Sequence, residues 1–278
     1  MPLVTLSDVL QPALAQGYAV AGVVVLGWED ARAYVAAAEA EQCPLILQAG
    51  PGCRAHTPLP ILAAMFRHLA EGASVPVVAH LDHGYAADEC HAAIDCGFTS
   101  VMFDGSKLPL ADNIAQTRAI AEMAHAAGVS CEGEIGYVGY AEGAASHGTD
   151  PTEAQQFAAE TGVDAMAISI GNVHLQQDKN AAVDEKLLRS IEGVTDVPLV
   201  LHGGSGIPMQ TRRELARNSH ICKFNIGTEL RQVFGASLRS KIADDPQQFD
   251  RIALLSAVEK PLENAARQIM RNLMGHAE

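Results

Sequence analysis

Three stretches of the sequence share one pattern: residues 79–84 (AHLDHG), 165–174 (AMAISIGNVH) and 199–206 (LVLHGGSG). Each belongs to an apolar run that ends abruptly in a histidine beside other polar residues or glycine. Continuous apolar runs of this length are typical of parallel strands that are buried on both faces. The pattern predicts three buried strands, each with a histidine at its carboxyl end.

Strand-like runs of the same kind recur along the whole chain, and alanine-rich amphipathic segments such as 29–42, 114–127 and 151–161 separate them. We predict eight strands, at residues 19–26, 44–49, 76–81, 100–103, 130–135, 165–170, 198–201 and 221–226. Eight alternating units favour an α/β fold of the (β/α)8, or TIM, barrel type over the alternative, an open doubly wound sheet. We expect a single domain over residues 1–278 with a helical segment at about 251–275.

Local signals mark where the predicted helices begin and end. Asp150 followed by Pro151 is typical of a helix N-cap with proline at the first helical position. Gly97, Gly128 and Gly162 each stand where a helix should end before the next strand.

Composition narrows the class of protein. With 19 Lys and Arg against 33 Asp and Glu, the formal charge of the 278 residues is −14, which argues against nucleic acid or an anionic membrane surface as a partner. The six cysteines form no C-x-x-C pattern and are expected to be reduced thiols of a cytoplasmic protein. We expect neither a signal peptide nor a membrane-spanning segment.

The histidines at the predicted strand ends are His83, His174 and His202. Active sites of such barrels lie at the carboxyl ends of the strands. Three imidazoles with a fourth position open form a catalytic divalent-metal site, most naturally for Zn²⁺. We therefore predict a zinc site at the barrel mouth. A fourth histidine, His80, is expected to face the helices.

Asp82 precedes His83 and has two interpretations. It could orient a ligand histidine, or it could act as a general acid/base on a substrate beside the metal. Neighbouring residues of a strand point in different directions, so we favour the second role.

Glycine-rich segments follow the last two predicted strands. The loops after strands seven and eight are the usual phosphate site of this barrel, because glycine lets backbone N–H groups approach an anion. The alternative is a pair of ordinary tight turns. The candidate substrate-binding residues are Gly203, Gly204, Ser205, Asn225, Ile226, Gly227 and Thr228.

Two further carboxylates, Asp104 and Glu134, end predicted strands four and five. They are either solvated strand-end groups, or they form a second cation position, divalent or monovalent, or alternative ligands for a mobile zinc. The segment 137–149, which carries Glu142, is rich in glycine and alanine and is expected to form a mobile active-site loop.

Together these residues give the chain a resemblance to the class II, zinc-dependent ketose-phosphate aldolases of the fructose- and tagatose-bisphosphate type. The motifs that carry the resemblance span most of the chain: HLDHG at 80–84, SVMFDGS at 100–106, EGEIG at 132–136, TDP at 149–151, LHGGSG at 201–206 and KFNIGT at 223–228.

The resemblance implies a lyase that cleaves or forms a ketose phosphate through a metal-stabilised enediolate, releasing dihydroxyacetone phosphate and an aldehyde. It implies His83, His174 and His202 as zinc ligands and Asp82 as the catalytic acid/base. Glu142 would be an acid on the loop that moves protons. The two glycine-rich loops would hold the dihydroxyacetone-phosphate half, and the enzyme would be a homo-oligomer, either a dimer or a tetramer.

The chain departs from the family pattern where the substrate is contacted. Asparagines usual at the end of strand one are replaced by VVVLG at 23–27, and Gly50 stands where a serine is usual after strand two. Leu175 replaces the usual glycine after the second zinc histidine. These departures favour a ketose-phosphate aldolase whose best substrate is not fructose 1,6-bisphosphate.

Two other classes of function are weighed against this one. A non-catalytic, aldolase-like partner subunit is disfavoured because the metal and acid/base residues are intact. A metal-dependent hydrolase on the same barrel would typically need an early H-x-H pair, which the sequence does not contain. A Schiff-base route through Lys223 is less favoured than metal chelation.

Overall fold

The predicted strands all form, and they pair in parallel with their sequence neighbours around a closed barrel. The computed structural model describes residues 3–141, 143 and 145–275. The strands are β1 (Val20–Val24), β2 (Leu45–Ala49), β3 (Val77–Gly84), β4 (Ser100–Phe103), β5 (Ser130–Ile135), β6 (Ala165–Ile168), β7 (Leu199–Leu201) and β8 (Ile221–Ile226). Because β1 also pairs with β8, with Ala21 opposite Phe224, the sheet has no free edge and the open-sheet alternative is excluded.

Helices alternate with the strands. They are α1 (Leu6–Gln16), α2 (Trp28–Glu41), α3 (Pro51–His56), α4 (Leu59–Gly72), α5 (Ala87–Cys96), α6 (Leu110–Ala126), α7 (Pro151–Thr161), α8 (Glu185–Glu192), α9 (Met209–Asn218), α10 (Thr228–Asp244) and α11 (Arg251–Met274). Within the described ranges no helix is both long and apolar enough to cross a membrane.

The ends of the elements follow the local signals. The Asp150 carboxylate accepts hydrogen bonds from two backbone N–H groups of the first turn of α7, and Gly97 and Gly162 end their helices in the left-handed conformation. Several boundaries differ from expectation. Helix α6 begins at Leu110, one turn before the predicted start, and β3 continues past Leu81 through Gly84. Strands β1 and β6 each end two residues earlier than predicted.

Helix α1 closes the amino-terminal end of the barrel. Its buried residues Leu6 and Leu10 pack in one apolar cluster with strand residues of the barrel interior such as Val20, Val78 and Val200. Since successive residues of a strand face opposite sides, the other set of strand residues packs outward under the helices.

Above this apolar layer the barrel interior is charged. Lys223 Nζ on β8 lies 2.6 Å from Glu132 Oε2 on β5, and neither side chain is exposed. Lys223 Nζ also lies 3.2 Å from Nε2 of His80, whose Nδ1 lies 2.8 Å from Ser100 Oγ. Burial, followed by the Lys223 charge, holds the pKa of His80 well below its usual value, so a neutral imidazole accepts from the ammonium group.

The expectation that His80 faces the helices is therefore wrong. Strict alternation from His83 would place His80 outside. The pairing of β3 with β4 shifts between Leu81 and Gly84, however, and this irregularity inverts the phase of the strand.

The buried Lys223–Glu132 pair makes a prediction about stability. Lys223→Met leaves the Glu132 carboxylate buried without its cation and should lower the free energy of unfolding by about 3–5 kcal/mol. The double variant Lys223→Met/Glu132→Gln should lose less, because no unpaired charge remains. Urea unfolding followed by circular dichroism measures both. The control Lys260→Met removes an exposed lysine and should change stability by at most about 0.5 kcal/mol. A loss in Lys223→Met no larger than that in the control would contradict the prediction.

Candidate metal centre and active site

The carboxyl ends of the strands bring together the predicted histidines. His83 lies near the end of β3, His202 directly follows β7, and His174 lies in the segment after β6. The ring centroids are 4.6 Å apart for His83 and His202, 5.1 Å for His83 and His174, and 5.4 Å for His174 and His202. One nitrogen of each ring lies within 4.8 Å of the other two. The three can therefore hold one metal ion together.

The hydrogen bonds of two of these rings select the nitrogen that faces the mouth. His83 Nδ1 lies 2.8 Å from Asp104 Oδ2, and His202 Nε2 lies 3.2 Å from Glu132 Oε1. His202 Nδ1 is buried and has no hydrogen-bond partner. A carboxylate on one ring nitrogen and an open position on the other is the usual arrangement of a metal-binding histidine. The donor set fits a divalent cation.

The charge state of the histidines also suits a metal. Burial, followed by the His83 charge, lowers the pKa of His174 to about 4 and holds the pKa of His202 well below its usual range, so both rings are in the neutral form that binds metals. Burial would lower the pKa of His83 too. The nearby Asp82 and Asp104 outweigh it and raise this pKa to about 9, which means that the surroundings of His83 favour positive charge.

Asp104 and Glu134 join the site as a second group with His83, with one ligand atom of each within 4.8 Å of the others. Burial raises the pKa of Asp104, but the hydrogen bonds and charge of His83 and the bonds from Ser106 outweigh it and hold the pKa below its usual value. Burial and then Asp104 raise the pKa of Glu134 to about 8. Glu134 Oε2 is buried without a hydrogen-bond partner. Neither carboxylate is a solvated strand-end group, since Glu134 is fully buried and Asp104 is paired with His83.

Asp82 is buried at the same mouth. Its Oδ1 accepts a hydrogen bond of 3.1 Å from Asn225 Nδ2, and 4.0 Å separates it from His83 Nε2, which is longer than a hydrogen bond. Burial raises the pKa of Asp82, but the positive charge favoured at His83 outweighs it and leaves the pKa lowered. Asp82 is thus a carboxylate beside a candidate metal-binding nitrogen, and it is not hydrogen-bonded to the ring that it would have to orient.

The glycine-rich loops meet next to the histidines. Gly203 has φ +65°, and a Cβ there would lie 2.1 Å from the Val173 carbonyl oxygen, so only glycine fits. Ser205 Oγ accepts hydrogen bonds of 3.2 Å from the backbone N–H groups of Gly227 and Glu229. Ser205 therefore ties the loop after β7 to the start of α10, and its own hydroxyl hydrogen remains available to donate.

A cavity of about 330 Å³ opens over these groups. Of the predicted residues it is lined by Asp82, His83, His174, Gly203, Ser205, Asn225, Gly227 and Thr228. Gly204 and Ile226 are not part of its lining. They face each other instead, since a Cβ on Gly204 would lie 2.9 Å from Ile226 Cδ1. A wider groove of about 900 Å³, between α1 and α9, is lined by none of the predicted residues.

The cavity also contains residues that the sequence analysis missed. Tyr85 stacks on His83 and Tyr140 stacks on His174, with centroid distances of 6.3 Å and 4.9 Å. Arg231, one turn into α10, adds a cation to the lining. Its spacing of three residues from Thr228 on a helix is the signal that could have identified it. Glu132 could have been found from its position two residues before Glu134 on one strand face.

The predicted loop acid, Glu142, lies outside the described residues.

Leu175, which stands where the family usually has glycine, takes φ +59°. Glycine adopts this left-handed conformation without strain, and this accounts for the usual residue at the position.

Known proteins resemble the chain over nearly its full length. A family profile described as "Fructose-bisphosphate aldolase class-II" matches residues 4–278. A fructose-bisphosphate aldolase of Geobacillus stearothermophilus is 37% identical over 258 residues, which cover 90% of this chain and 89% of that protein. A 6-phospho-5-dehydro-2-deoxy-D-gluconate aldolase of Bacillus licheniformis is 35% identical over 280 residues, covering 96% and 95%.

A solved structure also resembles the chain over nearly its full length. The crystal structure of the YdjI aldolase from Escherichia coli K12 superposes with a TM-score of 0.86 at 30% sequence identity, covering 98% of this chain and 97% of that one. The similarity therefore includes the barrel, the loops at its mouth and the terminal helix.

The histidine cluster makes a prediction about metal binding. His174→Ala removes a proposed ligand at the rim of the barrel and should weaken metal affinity by more than about tenfold. Loss of a group that only supports a ligand already weakens affinity by about 10–100-fold, and loss of the ligand itself should cost at least as much. The protein should remain folded, since the ring is not part of the core. Elemental analysis after gel filtration, with chelator competition, measures the affinity. His91→Ala removes an exposed histidine of α5 and serves as the control. Equal metal content in His174→Ala and the unaltered protein would contradict the assignment.

Proposed function

The chain belongs to the class II fructose-bisphosphate aldolase family, whose members are lyases, and we propose that it is a zinc-dependent aldolase of a ketose phosphate. The reaction releases dihydroxyacetone phosphate and an aldehyde, or joins them in reverse. The observation that carries the proposal is the Asp82 carboxylate 4.0 Å from His83 Nε2, in one cavity with His174 and beside His202.

The choice of metal rests on the ligands. His83, His174 and His202 would hold the ion, and three imidazoles with an open position are typical of catalytic zinc. When bound, the cation supplies Lewis acidity that polarises the substrate carbonyl and stabilises the negative charge developing on its oxygen. Asp104 and Glu134 provide a second position next to the same histidine, for a divalent or a monovalent cation.

Asp82 performs the proton transfer that begins cleavage. Its lowered pKa keeps it ionised and able to take the proton of the C4 hydroxyl group. As that proton leaves, the C4–O bond becomes a carbonyl, the C3–C4 bond breaks, and its electron pair passes to the ketone half. The hydrogen bond from Asn225 fixes the direction of the carboxylate. By family resemblance, Glu142 would return a proton to C3.

The loops after β7 and β8 would hold the phosphate of the substrate. Gly203 gives close backbone approach, and the hydroxyl groups of Ser205 and Thr228 can donate to an anion. Gly227 N–H is already bonded to Ser205, so it contributes by positioning the loop. Arg231, which lines the same cavity, adds a positive charge that can attract an anion.

The wall of the cavity formed by the ends of β1 and β2 differs from the family pattern, and it adjoins the loop after β8, since a Cβ on Gly227 would lie 3.0 Å from Val24 Cγ2. Val24, Leu26 and Gly50 line it where asparagine and serine are usual. A site that has lost hydrogen-bonding groups discriminates poorly for the substrate groups they bound. We infer that fructose 1,6-bisphosphate is a weak substrate and that another ketose phosphate, with a less polar aldehyde half, is better.

A cytoplasmic, homo-oligomeric enzyme remains part of the proposal. The support for the compartment is that all six cysteines are free and five of them are buried, as expected of thiols kept reduced. Dimer and tetramer are both consistent with the resemblance.

The role of Asp82 predicts a kinetic result. Asp82→Asn cannot take the proton and should lower kcat by about 10²–10⁴-fold, while zinc content stays at the level of the unaltered protein. Steady-state cleavage assays and metal analysis on the same samples measure both. Asp88→Asn, an exposed aspartate of α5, should leave both unchanged. Metal loss in parallel with the rate would show that Asp82 orients a ligand instead. A non-catalytic partner subunit would show no activity in any sample.

The cavity lining predicts the order of substrates. We expect kcat/KM, measured with saturating zinc, to be higher for another ketose phosphate than for fructose 1,6-bisphosphate. The compounds to compare are fructose 1,6-bisphosphate, tagatose 1,6-bisphosphate and 6-phospho-5-dehydro-2-deoxy-D-gluconate. Gly50→Ser introduces the hydroxyl group that is usual at this position and should shift the preference toward fructose 1,6-bisphosphate. The Cβ of the new serine would lie 3.4 Å from Asp82 Oδ2, an ordinary van der Waals contact. A clear maximum for fructose 1,6-bisphosphate at about 10⁴ M⁻¹s⁻¹ or above would show that these departures do not matter.

A further inference from the structure

The Arg54 side chain, on the short helix α3, joins the ends of two neighbouring strands. Its Nη1 donates hydrogen bonds of 2.7 Å to the carbonyl oxygens of Ala49 and Asp82. Its Nη2 donates at 3.1 Å to the His83 carbonyl oxygen and at 3.0 Å to Glu89 Oε2. The Arg54 side chain is only 13% exposed and is not part of the cavity lining. One guanidinium group thus serves three backbone carbonyls and one carboxylate.

Two of those carbonyls belong to the proposed base and a proposed metal ligand. Asp82 and His83 are consecutive, and consecutive residues of a regular strand face opposite sides. Yet both side chains line the cavity. They can do so because the β3–β4 pairing passes from Leu81–Val101 to Gly84–Phe103 with one extra residue on β3.

The extra residue strains the backbone. His83 takes φ +53°, and for a residue with a Cβ the left-handed conformation costs about 1–2 kcal/mol. The break in the strand pairing also falls at Asp82 and His83, whose carbonyl oxygens need donors if they are not to be buried unpaired. Arg54 donates to both of them.

We propose that Arg54 is a positioning residue that holds this irregular strand end, so that the Asp82 carboxylate and the His83 imidazole face the mouth together. The proposal rests on the proposed function for the roles of Asp82 and His83. Arginine suits the task because its planar guanidinium carries five donors in a fixed geometry, whereas a lysine ammonium is a single point charge on a flexible chain. The fourth acceptor, Glu89 Oε2, also accepts from Tyr85 N–H and does not contact the carbonyl groups of Asp82 or His83.

The test compares Arg54→Met and Arg54→Lys with the unaltered protein by zinc affinity, measured by chelator competition, and by kcat and KM. We expect zinc affinity to fall about 10–100-fold in both variants, the usual loss when a supporting contact of a metal ligand is removed. We expect kcat to fall as well. KM for the ketose phosphate should change less, because the phosphate loops do not contact Arg54.

Two matched controls separate positioning from general stability. Glu89→Gln removes the ion pair and leaves the three carbonyl contacts of Arg54. Arg67→Met removes an arginine of α4 that donates to the Cys96 carbonyl oxygen away from the mouth. Both should keep zinc affinity within about twofold of the unaltered protein, a change that corresponds to less than half a kcal/mol. Thermal unfolding establishes that every measurement is made well below the melting temperature.

Wild-type zinc affinity and kcat in Arg54→Met would overturn the proposal, as would losses of equal size in Arg67→Met. If Arg54→Met shows no cooperative unfolding, the test rests on Arg54→Lys. Wild-type zinc affinity in Arg54→Lys would then show that the guanidinium group is not needed and would overturn the proposal. A crystal structure of the Arg54→Lys variant tests the same point without metal or substrate: His83 should leave the left-handed region, and an unchanged His83 φ would count against the proposal. A protein that binds zinc but cleaves no ketose phosphate overturns the proposed function alone.

Discussion

The ion pair between Lys223 and Glu132 lies inside the barrel, and the candidate metal centre rests on its contacts. Nζ and Oε2 are 2.6 Å apart with no exposure to solvent. Either charge alone in that interior would cost several kcal/mol, so the two must be buried together. Glu132 uses its second oxygen on His202 Nε2, and this contact leaves His202 Nδ1 without a hydrogen-bond partner and open to a metal shared with His83 and His174. A buried charge pair thereby decides which nitrogen of a candidate ligand is available.

The mouth above this pair concentrates opposite charges within a few ångströms. Carboxylates of Asp82, Asp104 and Glu134 surround His83, and they outweigh its burial and raise its pKa to about 9. The pKa of Glu134 rises to about 8 because of its burial and the Asp104 charge. A cluster of this kind favours an added positive charge, and the neutral rings of His174 and His202 provide ligands for it. The chemistry of the donors therefore agrees with the metal dependence general to the class II family.

Membership of the family indicates the type of reaction but not the substrate. Relatives of nearly equal identity, 37% and 35%, carry the names of two different aldolases. The loops proposed to bind phosphate, with Gly203 and Ser205, keep the features that the family resemblance implies. Val24 and Gly50, at the ends of β1 and β2, do not. We therefore expect discrimination between ketose phosphates to depend on the positions where this chain departs from the family.

Sequence alone determined a parallel α/β fold, because continuous apolar runs separated by amphipathic helices are typical of strands buried on both faces, and the number of runs favoured a barrel. The pairing of β1 with β8, which closes the sheet, is seen only in the tertiary structure. It also predicted that His83, His174, His202 and Asp82 lie together, since strand ends in such a barrel all open at one mouth, and the structure brings these four residues close to one another. The register at the end of β3 was decided by the tertiary structure. The extra residue at Asp82–His83 reversed the expected direction of His80, and the Arg54 contacts to that strand end join residues 28 and 29 positions apart. Local patterns report which residues are apolar, whereas the facing of a strand past a bulge and the partner of a buried charge depend on groups that meet only when the barrel closes.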